Sequence, residues 1–213
     1  MKIILQNAGK RFSREWIFRK LNYKFLPGTI YAITGPNGSG KSTLLQVLSG
    51  AIVLNEGACE WQLTDTAVEP DDVHLHISIA APYIELIEEM TAKEFLVFHS
   101  SFKKYIDHFS IADILQEAGL ANAAGKQIRL FSSGMKQRLK LAQAIFSDVP
   151  VILLDEPCTN LDVAGFDLYY TWIENYCKNR LVIISSNDKN EYSFCNEKIC
   201  LTDFKQNKAA ANF

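Results

Sequence analysis

Nothing in this sequence is long and apolar enough to cross a bilayer as a helix. Aliphatic runs such as Val151–Leu154 and Leu181–Ile184 are four residues long, whereas a spanning helix takes about 20. Met1–Lys10 holds only three consecutive apolar residues, too few for the core of a signal peptide, so a cytosolic chain with no anchor of its own is expected. Positive charge is not in excess. Against 24 Asp and Glu stand 22 Lys and Arg, a net charge of −2, and a broad basic field for nucleic acid or an anionic membrane is excluded. Cysteine is sparse: Cys59, Cys158, Cys177, Cys195 and Cys200 are scattered, odd in number and without a CxxC pair. A disulfide framework or zinc site is therefore unsupported, and reduced thiols are expected. His74 and His76 are expected on one face of a strand, solvated or packed rather than metal-bound. Internal repeats and low-complexity stretches are missing, with only 203–213 reading as a loose tail.

What remains is a globular chain of 213 residues, 48% hydrophobic, large enough to bury a core. Strands are expected at 2–8, 21–26, 29–34, 57–61 and 73–79, with Pro27-Gly28 turning between the second and third. Ile30–Thr34 runs through a glycine-rich loop into a helix-competent segment, Lys41–Leu48. The stretch 91–147 reads as helical. Within it Phe95, Phe98, Phe102, Tyr105 and Phe109 recur at three- and four-residue spacing, which predicts core packing. Ser110 is placed to cap one helix and a longer one should begin near Ser132. Val151–Leu154 and Leu181–Ile184 read as buried parallel strands separated by an amphipathic helix over 162–177. One α/β domain over 1–213 is expected, with a helical subdomain at about 85–147.

Gly35-Pro36-Asn37-Gly38-Ser39-Gly40-Lys41-Ser42 satisfies the P-loop pattern, between a strand and a helix, and Thr43 continues it. Glycines let backbone N–H groups curl around an anion, and the helix behind directs its positive end at phosphate. Lys41 suits the β- and γ-phosphate oxygens, and Ser42 suits Mg²⁺. In Val151-Ile152-Leu153-Leu154-Asp155-Glu156 a buried strand carries two acids to its C-terminal end, where α/β folds bind ligands. Asp155 can order the Mg²⁺ shell, and Glu156 is a candidate base for water.

The segment Phe131-Ser132-Ser133-Gly134-Met135-Lys136-Gln137-Arg138 resembles the signature of ATP-binding cassette (ABC) proteins, in the version seen in many exporter-type cassettes. Physically it is a Ser and a Gly at a helix N-terminus, a second anion-binding end. Pro157-Cys158-Thr159-Asn160-Leu161-Asp162 resembles the family's D-loop, and motif order matches ABC nucleotide-binding domains over nearly the whole chain. The resemblance implies a P-loop NTPase core with an antiparallel β subdomain and a helical subdomain, and ATP and Mg²⁺ as ligands. It also implies two such subunits paired head to tail with ATP between them. Ser132 and Gly134 of one copy would then face Gly35–Thr43, Asp155 and Glu156 of the other, with Asp162 coupling the sites. Adenine would stack on Phe12, or alternatively on Trp16.

Two departures stand out. Where family members carry a Gln at the end of the 73–79 strand, this chain has Ala81, or Ala80. Where they carry a His that contacts the γ-phosphate, it has Asn187, which donates a hydrogen bond but does not titrate near neutral pH. The resemblance implies an ATPase that powers a multi-span membrane permease from the cytoplasmic face, without nucleic acid, and the two departures point to slow hydrolysis. A cytosolic ATPase that remodels a protein or cofactor assembly is the alternative.

Overall fold

The computed structural model describes residues 1–205. Two antiparallel strands open the chain, β1 (Lys2–Phe12) and β2 (Glu15–Phe25). Both exceed the expected spans. Asn7 adopts a left-handed backbone (φ 47°), and register shifts around it break the apolar alternation, so the strand continues where its period-2 pattern ends. After the turn at Pro27-Gly28, β3 (Ile30–Thr34) enters the glycine-rich loop and then α1 (Lys41–Leu48). β4 (Glu56–Leu63) and the unanticipated β5 (Thr66–Val68) complete the first sheet, in the order β2-β1-β4-β5.

Residues 73–79 are not one strand. Pro70 sits at the start of a 3-10 turn with Asp71 and Asp72, and helical backbone continues as α2 (Val73–His76) before β6 (Ile77–Ala80). His74 and His76 therefore share no strand face, and a ring nitrogen of His74 lies 2.6 Å from the Asp71 carbonyl. The helical region comprises α3 (Ala92–Ser100), α4 (Ile111–Glu117) and α5 (Ser133–Ile145). Capping boxes start the first two, Thr91 with Glu94 and Ser110 with Asp113. The aromatic series is not one stripe, because α3 ends at Ser100. Phe95 is buried and Tyr105 and Phe109 pack against the core, whereas Phe98 and Phe102 are exposed, in edge contact with each other.

The remaining elements are β7 (Val151–Asp155), α6 (Val163–Tyr176), β8 (Leu181–Ser185), α7 (Lys189–Tyr192) and the unanticipated β9 (Glu197–Cys200). The tail expected at 203–213 is corrected at its start: Asp203 and Phe204 belong to a 3-10 turn, Leu201–Phe204, and Phe204 packs against the core. Residues 206–213 lie outside the described residues.

The second sheet has the order β6-β7-β8-β3-β9, every neighbouring pair parallel. All residues of β7 and β8 are buried, and they serve two cores by alternation. Val151 and Leu153 pack with Leu44, Leu45 and Leu48 of α1 and with apolar side chains of β1 and β2. Ile152 and Leu154 pack with Leu141 and Ile145 of α5 and Trp172 of α6. Covering a parallel sheet on both faces explains its unbroken apolar runs. The architecture is thus α/β, with an antiparallel sheet on one side and helices on the other, and the C-terminal ends of β3, β7 and β8 open into one crevice. Among the described residues no helix is long and apolar enough to cross a membrane.

Candidate functional site

The loop after β3 is shaped by its backbone. Gly40 takes a left-handed conformation (φ 103°) at the N-cap of α1, and a Cβ there would stand 2.0 Å from Cγ2 of Ile17. Only glycine fits. The consequence is a helix start with neither a side-chain cap nor an acid in its first turn. Its N–H groups and the positive end of the helix are left for an external anion. Lys41 is only 5% exposed. Its Nζ donates to the carbonyls of Gly35 (2.9 Å) and Pro36 (3.4 Å), which hold the ammonium beneath the loop. Pro36 also accepts from the Ser39 N–H at 3.0 Å, and the buried Ser39 Oγ has no hydrogen-bond partner.

A cleft of about 390 Å³ opens over this loop. Its floor is Asn37, Gly38, Gly40, Lys41, Ser42 and Thr43; Phe12 and Ile17 wall it on the antiparallel side, and Glu156 on the other. Phe12 is half exposed, with the Lys10 ammonium 5.2 Å from its ring centre. Trp16 lies between the Arg11 and Arg19 guanidinium groups instead and does not line the cleft.

At the end of β7, Asp155 is 2% exposed and its Oδ1 is buried with no partner in the protein. An orphaned carboxylate oxygen is costly unless something pairs with it. Ser42 lines the cleft together with Glu156, the residue after Asp155, and a hydroxyl and a carboxylate are donors that suit a hard, oxygen-seeking cation such as Mg²⁺. Glu156 follows in a left-handed conformation (φ 46°), its N–H donating to Ser185 O at 2.8 Å. Strained backbone at a non-glycine residue persists where the surroundings enforce it, commonly at functional sites. From β8 the chain brings in Asn187, whose Nδ2 donates to Asn37 Oδ1 at 2.8 Å.

Two residues beside the cleft escape sequence reasoning. Ala80 and Ala81 are both buried, and the Ala81 carbonyl accepts from Lys140 Nζ at 3.1 Å, so neither side chain reaches into the cleft. The chain leaves β6 alongside β7, with Ala80 opposite Leu154, and carries Tyr83 toward Asp155. The Tyr83 hydroxyl bonds to Gln46, one turn beyond Ser42 on α1; burial, then the Asp155 charge, push its pKa up to about 12. Lys205 is the second, its Nζ donating to Gly38 O at 3.4 Å. Neither has a signal in the sequence, since both positions follow from strand neighbours far along the chain.

The remaining predicted residues lie apart from this cleft. Ser132 caps α5, accepting from the Met135 N–H at 3.3 Å, and is exposed. A Cβ on Gly134 would stand 3.0 Å from Asn160 O, and Gln137 Nε2 donates to Pro157 O at 2.6 Å, so α5 is joined to the 157–162 turn. Asp162 caps α6, accepting from the Gly165 N–H at 2.9 Å. Ser132, Gly134 and Asp162 thus share one surface and do not line the cleft of their own chain.

The sequence profile of the ABC transporter family matches residues 18–159. An uncharacterized ABC transporter ATP-binding protein of Bacillus subtilis is 32% identical over 192 residues, 87% of this chain and 85% of that protein. The cytochrome c biogenesis ATP-binding export protein of Yersinia pseudotuberculosis is 29% identical, over 89% of this chain and 88% of its own. In three dimensions, the solved ATP-binding protein of an ABC transporter from Pyrococcus furiosus superposes with a TM-score of 0.82 at 20% identity, over 97% of this chain and 100% of that one, a likeness of fold. An uncapped helix start over a buried lysine, a strand-end acid pair and these matches agree: the chain belongs to the ABC transporter family of ATP-binding proteins.

Proposed function

We propose that this chain binds and hydrolyses ATP to power a membrane transporter, lying on the cytoplasmic face against a multi-span permease and working as a head-to-tail pair. The observation that carries the reading is the start of α1: a left-handed, uncapped Gly40 followed by a buried Lys41, in one cleft with Glu156.

The roles follow from position. Backbone N–H groups of Gly38–Thr43 cradle the phosphates, with Gly35, Pro36 and Ser39 shaping the loop beneath. Lys41, released from the two carbonyls it holds, reaches the β- and γ-phosphate oxygens as a charge-assisted donor. Ser42 and Asp155 hold Mg²⁺, which when bound supplies charge that neutralises the phosphate oxygens. Glu156 takes the proton of the attacking water. Asn187 swings from Asn37 to donate one hydrogen bond to the γ-phosphate. Phe12 offers its exposed ring to adenine. Ser132 and Gly134 from the second copy close the cleft, and Asp162 joins the two sites. Export-type transport is favoured by the signature variant in 131–138 and by the Yersinia relative, which is named an ATP-binding export protein.

Nucleotide binding tests the reading. Lys41→Ala in the full chain should weaken Mg-ATP binding by about 10-fold or more, the value of one charge-assisted contact, while circular dichroism and melting stay those of a folded protein. Unchanged affinity, measured by calorimetry, would overturn it.

A further inference from the structure

Glu191 is a carboxylate that the reaction described above does not use. It is 5% exposed, on the short α7 that follows the Asn187 loop. Its Oε1 accepts the Cys158 N–H at 2.9 Å, in the turn directly behind Glu156 and Pro157. Its backbone carbonyl accepts the Tyr169 hydroxyl of α6 at 3.0 Å. Oε2 is buried without a hydrogen-bond partner. Burial above all, and then the negative charges of Asp188 and Glu156, push the carboxyl pKa up, against the bond from the Cys158 N–H. A buried carboxylate with one oxygen unpaired is costly to keep.

Three segments meet at this residue: the loop carrying Asn187, the turn carrying Glu156, and α6, whose N-cap is Asp162. We infer that Glu191 is a positioning residue, clamping the Cys158 N–H so that the Glu156 turn and the Asn187 loop close on the nucleotide as one piece. The inference rests on the ATPase reading for its kinetic readout. The γ-phosphate draws Asn187; Glu191 follows four positions on, and the turn between them is capped by Asp188, which accepts the Asn190 N–H at 2.9 Å. Displacement of that loop is passed through Oε1 to the turn that aims Glu156.

The test compares Glu191→Ala, which removes the acceptor, with Glu191→Gln, which keeps an oxygen at Oε1 and drops the charge. Glu191→Ala should lower kcat by about 10- to 100-fold, the effect of misplacing a catalytic group by about 1 Å. KM and ATP affinity should stay within about threefold, and Glu191→Gln should restore most of kcat. An unchanged kcat in Glu191→Ala, equal losses in binding and turnover, or a Gln variant as poor as Ala would each overturn the clamp. Should Glu191→Ala not fold, Glu191→Asp, too short to reach Cys158, carries the same kinetic test. Hydrogen exchange of the 156–162 segment separates this proposal from the ATPase reading. If the wild-type chain does not hydrolyse ATP, that reading fails, yet the Cys158 amide should still exchange about 10-fold faster in Glu191→Ala; equal exchange would overturn the clamp by itself.

Discussion

The cleft above α1 and the surface around Ser132 are both helix starts, and they are built in opposite ways. At α1 the cap position is a glycine with no side chain to give, and the Ser39 and Asp155 oxygens nearby are buried without partners. At α5 and α6 the caps are complete: Ser132 accepts from Met135 and Asp162 from Gly165, both at the exposed surface. The first is open to a ligand. The second is already satisfied by its own backbone, and a local role in capping accounts for every bond that it makes.

The largest expected effect separates chemistry from binding within the cleft. Glu156→Gln should cut hydrolysis by about 10²–10⁴-fold, the usual contribution of a general base, and leave Mg-ATP affinity near that of the wild type. A fall in affinity of the same size, seen by calorimetry beside a phosphate-release assay, would make Glu156 a binding residue instead.

Next in size is a test of whether the Ser132 surface does more than cap. In the Glu156→Gln background ATP should drive the protein to a dimer in light scattering, and added Ser132→Arg should abolish it while each monomer still binds ATP. Since Arg also removes the cap, worth about 1 kcal/mol, Ser132→Ala serves as control: equal loss of cap, dimer retained. Were Ser132→Ala and Ser132→Arg to behave alike, capping would be all that this serine does.

The smallest effect belongs to Asn187. Asn187→Ala should lower turnover by about 10-fold, the low end for one hydrogen bond to a charged acceptor. A loss equal to that of Glu156→Gln in the same assay would show that Asn187 carries the γ-phosphate contact on which hydrolysis depends.

The residues that line the candidate cleft are more legible in the sequence than the boundaries of the elements around them, for a physical reason. Gly35–Thr43 and the Asp155-Glu156 pair are contiguous, and their chemistry tolerates few alternatives at each position. β5 and β9 are three and four residues long, mixed in polarity, and acquire their identity only from neighbours at Trp61–Leu63 and at Tyr31–Thr34. The 73–79 stretch was misread because its apolar residues suit a strand, while Pro70 and the acids after it start a helical turn. Tyr83 shows the limit most clearly. Its approach to Asp155 depends on β6 pairing with β7, a contact across about seventy residues that no local pattern encodes.

The unpaired oxygen of Asp155 and the uncapped start of α1 also tie the lifetime of the folded chain to its surroundings. A ligand that completes them binds the native state and not the unfolded one, so mass action adds RT ln(1 + [L]/Kd) to the free energy of unfolding. At a nucleotide concentration one hundred times Kd that amounts to about 2.7 kcal/mol, a sizeable part of the 5–15 kcal/mol that typically holds a domain together. The melting temperature should then track the nucleotide supply, and a cell depleted of it would meet this protein in a form more open to proteases.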